Sequence, residues 1–225
     1  MKSDSAAYGV AFPLKGRGYK PRATSVHDHR KGFFLAKRTV DLVFAVLALP
    51  MLVVLTVVLY LANPFMNPGP VFFRQVRMGQ DGRAFRIWKF RTMTGGHADL
   101  RAADAPLDEY RITRLGRLLR RTKLDELPNI LNILSGEMSL VGPRPDAFQH
   151  ATAYLADVPR YDKRFVVRPG ITGLAQVRGG YADNPRAVQR KARYDCFYIK
   201  HSSFLLELYV IAATFAVVFS GFGQR

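Results

Sequence analysis

Between Leu42 and Ala62 the chain runs twenty-one residues without a charge, and no other stretch restricts its fold as strongly. Coiled as an α-helix, this run would be about 31 Å long at ~1.5 Å per residue, the thickness of a bilayer's hydrocarbon core. A basic, polar leader precedes it and no small-residue cleavage site follows, so it does not read as a removed signal peptide. Pro50 sits near its middle, where it removes a helix hydrogen bond and crowds the carbonyl four residues back. Basic residues flank both ends: Arg30, Lys31, Lys37 and Arg38 before the run, and Arg74, Arg77, Arg83, Arg86, Lys89 and Arg91 after it. A spanning helix expects its positive charge on one side. The symmetry here fits a segment over 33–64 that enters the membrane, breaks at Pro50 and returns to the same face. A kinked spanning helix is the alternative, since membrane helices tolerate proline.

The formal net charge of +17 over 225 residues calls for a polyanionic partner: nucleic acid, an anionic membrane surface or phosphorylated substrates. Cys196 is the only cysteine, which rules out an intrachain disulfide and a cysteine-based metal site. Residues 1–32 read as a flexible basic tail drawn to anionic lipid, and 65–225 as one catalytic domain. A nucleic-acid-binding protein would account for the charge but not for Leu42 to Ala62, so no nucleic-acid partner is expected. A non-catalytic membrane scaffold would account for charge and anchoring, and would leave the acidic pair and rigid loops described next without a purpose.

After Pro68, Gly69 and Pro70, β-rich runs at Val71 to Val76 and Phe85 to Phe90 flank Gly79-Gln80-Asp81-Gly82, the pattern of a hairpin. Ala98 to Ala103 and Ile112 to Arg121 read as helices, the second basic and amphipathic, suited to lie under lipid headgroups. Asp125 and Glu126 follow, between arginines and Pro128, with Leu127, Ile130, Leu131 and Leu134 at helical spacing. That pattern makes Asp125 a helix N-cap and puts the acidic pair at the positive end of a helix dipole, where neighbouring cations favour the charged carboxylate. A carboxylate so placed can hold a divalent cation or attack phosphorus. The pair converges only if Asp125 lies at or outside the helix start, since adjacent helical residues point about 100° apart. Gly142-Pro143-Arg144-Pro145 holds one arginine rigidly, as bidentate phosphate recognition requires, and Pro169-Gly170-Ile171-Thr172-Gly173 is a second rigid segment. Asn184-Pro185 opens a helix to about Lys200, and Ser203 caps a final helix too short in its apolar part to span comfortably.

Four stretches together resemble the monotopic phosphoglycosyl transferases, the bacterial sugar transferase family that starts glycan assembly on polyprenyl phosphate. They are Lys37-Arg38 with Asp41 ahead of the Pro50 run; Lys89-Phe90-Arg91-Thr92-Met93; Leu124-Asp125-Glu126-Leu127-Pro128 through Pro143-Arg144-Pro145; and Pro169 to Gly173 with Gln176. The resemblance covers roughly residues 33 to 220. It implies an α/β fold, mostly α: a re-entrant membrane helix-break-helix, a small cytoplasmic catalytic domain and interfacial amphipathic helices. It also implies transfer of a sugar-1-phosphate, a hexose being expected, from a UDP-sugar to undecaprenyl phosphate with release of UMP. In that reaction Mg²⁺ is the cofactor, Asp125 carries a covalent phosphosugar and Glu126 helps hold the metal. Lys89, Arg91, Arg120 and Arg144 are the expected phosphate contacts, and Asp195, Arg168 and Gln176 the supporting residues. Glu207 departs from the family pattern, which has Asp there. Exopolysaccharide initiation at the cytoplasmic face of a bacterial inner membrane follows by resemblance. So do a minimal form without the extra membrane helices of larger relatives, and a possible homo-oligomer whose surface the sequence does not identify.

Overall fold

A computed structural model describes residues 31–95, 109–179 and 184–220. The expected helix over Ala98 to Ala103 and nearly all of the basic tail lie outside these. Helix α1, Lys31–Met66, carries the apolar run. It is the one described helix long and apolar enough to cross a membrane. The helix continues through Pro50, so the interruption expected there is not found.

Helix α1 is polarised the wrong way for water. Its inward stripe holds Ala45, Leu52 and Leu59 in the middle, with Lys37 and Asp41 buried near one end and Asn63 and Asn67 near the other. The outward face exposes Val43, Phe44, Leu47, Val54, Leu61 and Phe65, the last 88% exposed. An apolar outer face of this extent is a contact surface for something other than water.

Both ends of α1 are tied to one unit. Arg38 donates to Ile133 O at 2.6 Å, and Asn67 donates to Arg91 O at 2.8 Å. A straight helix would separate these two residues by about 43 Å. The two acceptors, however, are joined through Asn132 and Trp88 by a path of at most about 27 Å. Only with both side chains stretched along a single line would the ends reach the straight-helix length, so α1 bends. Pro50 is the position near its middle that lacks a ladder donor.

Strands β1 (Phe72–Met78) and β2 (Ala84–Phe90) form the expected antiparallel hairpin, in register from Phe72↔Phe90 to Met78↔Ala84. Asp81 (φ 55°) and Gly82 (φ 72°) turn it. Side chains two apart share a face, so Phe85 and Ile87, which enter the core, put Lys89 on their side of the sheet. The opposite face is closed by Arg74 over the Trp88 ring, 3.4 Å from its centroid.

Helix α2 (Arg114–Arg121), capped by Thr113, buries Leu115, Gly116 and Leu119. Leu118 is exposed beside Arg114, Arg117 and Arg121. Helix α3 (Asn129–Leu134) packs against β2 through Asn132, whose Oδ1 accepts Trp88 N–H (3.0 Å) and whose Nδ2 donates to Arg86 O (2.8 Å). Two short strands, β3 (Ser139–Val141) and β4 (Gly170–Thr172), pair in parallel. They join the two rigid loops so tightly that a Cβ on Gly142 would sit 2.6 Å from Arg168 O, and one on Gly170 2.1 Å from Gly142 N.

Helices α4 (Phe148–Asp157), α5 (Leu174–Gly179), α6 (Pro185–His201) and α7 (Phe204–Ser220) complete the described fold. Asn184 Oδ1 caps α6 at Ala187 N–H (2.9 Å), and Ser203 Oγ accepts Leu206 N–H (3.3 Å) at the start of α7. Glu207 is buried at the seam of α1, α6 and α7, where it accepts from Lys37 Nζ and Tyr198 O–H, both at 2.5 Å. Asp41 alongside accepts Ser139 O–H (2.8 Å) and Leu140 N–H (3.0 Å). The mostly helical α/β class expected from the sequence is what the structure has.

Candidate active site

Asp125 and Glu126 stand in a 3-10 turn, Leu124–Glu126, entered through Lys123 in the left-handed region (φ 58°). Pro128, not Asp125, holds the N-cap position of α3, and its side chain caps nothing. The expected N-cap role of Asp125 is therefore corrected: the left-handed Lys123 tightens the chain into one 3-10 turn before the α-helix starts. The dyad thus lies outside the α-helix, the arrangement in which neighbouring carboxylates can converge.

The two carboxylates differ sharply. Both Glu126 oxygens are occupied: Oε1 accepts from Lys89 Nζ (2.9 Å) and Arg144 Nη2, and Oε2 from Arg144 Nη1 (3.0 Å). Asp125 Oδ1 is buried with no hydrogen-bond partner among the described residues. Leaving a buried polar atom unpaired costs about 1–3 kcal/mol, and such an expense on a carboxylate marks a site.

Titration follows from this arrangement. Burial raises the Asp125 carboxyl above its ordinary range; Lys89 opposes that, Glu126 adds to it, and Arg144 and Arg120 oppose it again. Burial also works to raise Glu126, but Arg144 and Lys89 overcome it and hold this carboxyl well below the usual range. Burial pushes Lys89 down, against the pull of Glu126, and Glu126 pushes Arg144 up. Nearby cations were expected to dominate at Asp125; burial wins there because Glu126 already neutralises them. Two adjacent carboxyls driven apart in this way suit different tasks.

The other candidates separate into three groups. Arg120 stays near the dyad: Gly116, one turn earlier, lets α2 approach until a Cβ there would sit 2.0 Å from Thr92 O, and Arg120 Nε donates to Thr92 Oγ1 (2.9 Å). Arg91, another expected phosphate contact just past the end of β2, donates through its guanidinium to Pro70 O (2.7 Å), Met93 O (3.1 Å) and Asn67 O, and so clasps three carbonyls at the exit of α1. Arg168 lies beside Arg38, whose guanidinium it pushes against. Gln176 Nε2 braces the second loop at Ile171 O (3.1 Å). Neither has a recorded contact with the dyad.

Asp195 is 1% exposed and reaches the site at one remove. It accepts from Arg164 Nε (2.6 Å), and Arg164 Nη2 donates to the Arg144 carbonyl (2.8 Å). Arg164 Nη1 meets Asp146 Oδ2 (2.5 Å), and Lys191 and Tyr161 also donate to Asp146. Asp146, Tyr161, Arg164 and Lys191 were missed by sequence reasoning. The one available signal was Arg164 among the apolar residues Tyr161, Phe165 and Val166.

No group of three or more metal-ligating side chains occurs among the described residues. A hard cation that binds through one or two carboxylates and substrate phosphates fits at Asp125, whose Oδ1 is unpartnered. Glu126 Oε2 accepts one hydrogen bond among the described residues, from Arg144 Nη1, and keeps a lone pair with which it could join.

Comparison with known proteins gives the geometry its context. The family model described as bacterial sugar transferase matches residues 33–221. The UDP-glucose:undecaprenyl-phosphate glucose-1-phosphate transferase of Klebsiella pneumoniae is 41% identical over 83% of this chain and 40% of its own length. The UDP-N-acetylgalactosamine-undecaprenyl-phosphate N-acetylgalactosaminephosphotransferase of Aeromonas hydrophila is 38% identical over 89% of this chain and 49% of its own. The chain therefore spans less than half the length of these two relatives. The exopolysaccharide production protein PSS of Rhizobium leguminosarum bv. phaseoli is 38% identical over 79% of this chain and 92% of its own. A match that runs from the first turn of α1 to beyond α7 leaves one assignment: this chain belongs to the bacterial sugar transferase family.

Proposed function

We propose that this protein transfers a sugar-1-phosphate from a UDP-sugar to undecaprenyl phosphate. The observation that carries the reading is the desolvated, unpartnered oxygen of Asp125 beside a Glu126 already paired with two cations. An ionised carboxylate stripped of hydrogen bonds is a better nucleophile than a solvated one. Asp125 attacks the phosphorus that bears the sugar. An acyl-phosphate bond forms, the P–O bond to the UMP phosphate breaks, and its electron pair leaves with UMP. The lipid phosphate oxygen then attacks the same phosphorus and restores the Asp125 carboxylate. Lys89, Arg144 and Arg120 stabilise charge on the equatorial oxygens, Lys89 and Arg144 turning from Glu126 to the diphosphate as it enters. Mg²⁺, when bound at Asp125 and the diphosphate, would supply further charge neutralisation.

The donor class follows from the relatives named for glucose and N-acetylgalactosamine; among these a hexose is the donor we expect. The exopolysaccharide role follows from the Rhizobium protein. Both ends of α1 moored to one unit, with Pro50 between them, support a re-entrant helix and a catalytic domain on the cytoplasmic face, where anionic lipid meets the arginines of α2. The test is UMP release from a panel of UDP-sugars by nanodisc-held protein with undecaprenyl phosphate, with and without a chelator, beside Asp125→Asn. Release by the wild type alone, lost on chelation and restored by Mg²⁺, is the expected result. Equal release by Asp125→Asn would overturn the covalent mechanism.

A further inference from the structure

The Pro143-Arg144-Pro145 segment has every one of its carbonyls held, each by a different element. Pro143 O accepts Gly170 N–H of β4 (3.0 Å), Arg144 O accepts Arg164 Nη2 (2.8 Å), and Pro145 O accepts Arg77 Nη1 of β1 (3.2 Å). Arg164 is the unusual member. It is 2% exposed, and its three nitrogens serve three separate acceptors: Asp195, Asp146 and the Arg144 carbonyl. Lys191 supplies a second buried cation to Asp146 (2.5 Å), so two cations and two carboxylates balance inside the protein. None of the four touches Asp125 or Glu126. A balanced buried cluster of this kind is costly to desolvate and adds little stability for its size, which leaves its purpose open.

We infer that Arg164, held by Asp146 and Asp195, is a positioning residue that sets the Arg144 guanidinium for the transferring phosphoryl group. This rests on the reaction proposed above. A bidentate fork is only as well aimed as its Cα, and the Arg144 side chain, about a third exposed and here held by Glu126, is aimed by its Cα alone once it turns from Glu126 to the diphosphate. The planar guanidinium of Arg164 is the one cation able to reach three divergent acceptors at once; a lysine there can neutralise the carboxylates but cannot span to the carbonyl as well. Arg164 therefore acts on the reaction through Arg144.

The test is a double-mutant cycle of Arg164→Lys and Arg144→Ala in the full chain in nanodiscs, read as UMP release. Arg164→Lys should lose about ten- to a hundredfold in kcat with KM for the UDP-sugar within about threefold. The double variant should be no worse than Arg144→Ala alone, because Arg164 has nothing left to position. Losses that multiply would overturn the inference. Should Arg164→Lys fail to fold, Asp195→Asn carries the same cycle, since it keeps an acceptor for Arg164 Nε and removes one charge. A second readout needs no turnover: the Arg144 side-chain signals in ¹⁵N NMR, assigned by their loss in Arg144→Lys, should broaden or shift in the Arg164 variant. Movement of that signal with no donor turned over would sink the proposed reaction and keep the positioning role. An unmoved signal in an active enzyme would sink the positioning role and keep the reaction.

Discussion

Asn132 offers the sharpest test of how the site is held, because one buried side chain joins the strand that carries Lys89 to the helix that follows Glu126. It is 1% exposed and its side chain makes three hydrogen bonds: Oδ1 accepts Trp88 N–H, and Nδ2 donates to Arg86 O and to Glu137 Oε2 (2.8 Å); its own carbonyl accepts Glu137 N–H (2.9 Å), Met138 N–H (3.0 Å) and Ser135 O–H (3.1 Å). Asn132→Leu keeps the volume and the backbone contacts but deletes the three side-chain bonds. Each is worth about 1 kcal/mol net, and the strand amide and carbonyl left behind cost about 1–3 kcal/mol each where water cannot reach them. Arg86 is exposed, so its carbonyl can recover a water. Three bonds and the buried strand amide together come to about 4–6 kcal/mol. For a chain of this size that lowers the midpoint of thermal unfolding by roughly 8–24 °C. Turnover of the folded fraction should fall as well, because an unpinned β2 lets Lys89 drift from Glu126. The assay is a thermal melt and UMP release on one nanodisc preparation. A midpoint within about 2 °C of wild type would refute the claim that this side chain fastens the hairpin.

Other expected outcomes bear on the dyad and on Arg91. Asp125→Asn should abolish UMP release and leave the melting midpoint at neutral pH unchanged or higher. A carboxyl whose folded-state pKa is raised opposes folding once ionised, so its removal relieves that cost. The acid limb of the kcat/KM profile reports ionisation of Asp125. Lys89→Met removes the cation that most lowers this pKa and should move the limb to higher pH, whereas Glu126→Gln removes a like charge and should move it to lower pH; shifts in one direction for both would contradict the electrostatic account. Arg91→Lys should lower the melting midpoint, since lysine cannot serve three carbonyls, yet leave KM for the donor within about twofold. A large rise in KM would place Arg91 at the phosphate site.

The elements legible from sequence were those written in local pattern. Two β-rich runs and a glycine-containing turn gave the hairpin to within about two residues at each end. Side-chain caps gave the starts of α6 and α7, and the basic amphipathic pattern gave α2. The dyad's position ahead of a helix was visible, but its 3-10 turn was not, because nothing in Lys123 announces a left-handed residue. Arg91 is ambiguous in sequence for a related reason. A motif arginine reads alike whether its fork meets phosphate or three carbonyls, and only the path of the chain after α1 decides. The cluster behind Arg144 was out of reach of any periodicity, since its members lie at 146, 161, 164, 191 and 195 and meet only through tertiary folding.

The mooring of α1 at both ends bears on any attempt to free the catalytic unit from lipid by truncation. Removing residues 31–67 would strip Ile133 O and Arg91 O of their donors and leave Ser139 and Leu140 without Asp41. It would also take Ala45, Leu52 and Leu59 out of the core cluster they share with Ile130 and Ile133 of α3, the helix on which α1 packs most. On the function proposed above, the helix is a wall of the site as much as an anchor. A fragment without it should be insoluble rather than soluble, and detergent that loosens the helix should loosen the reaction chemistry with it.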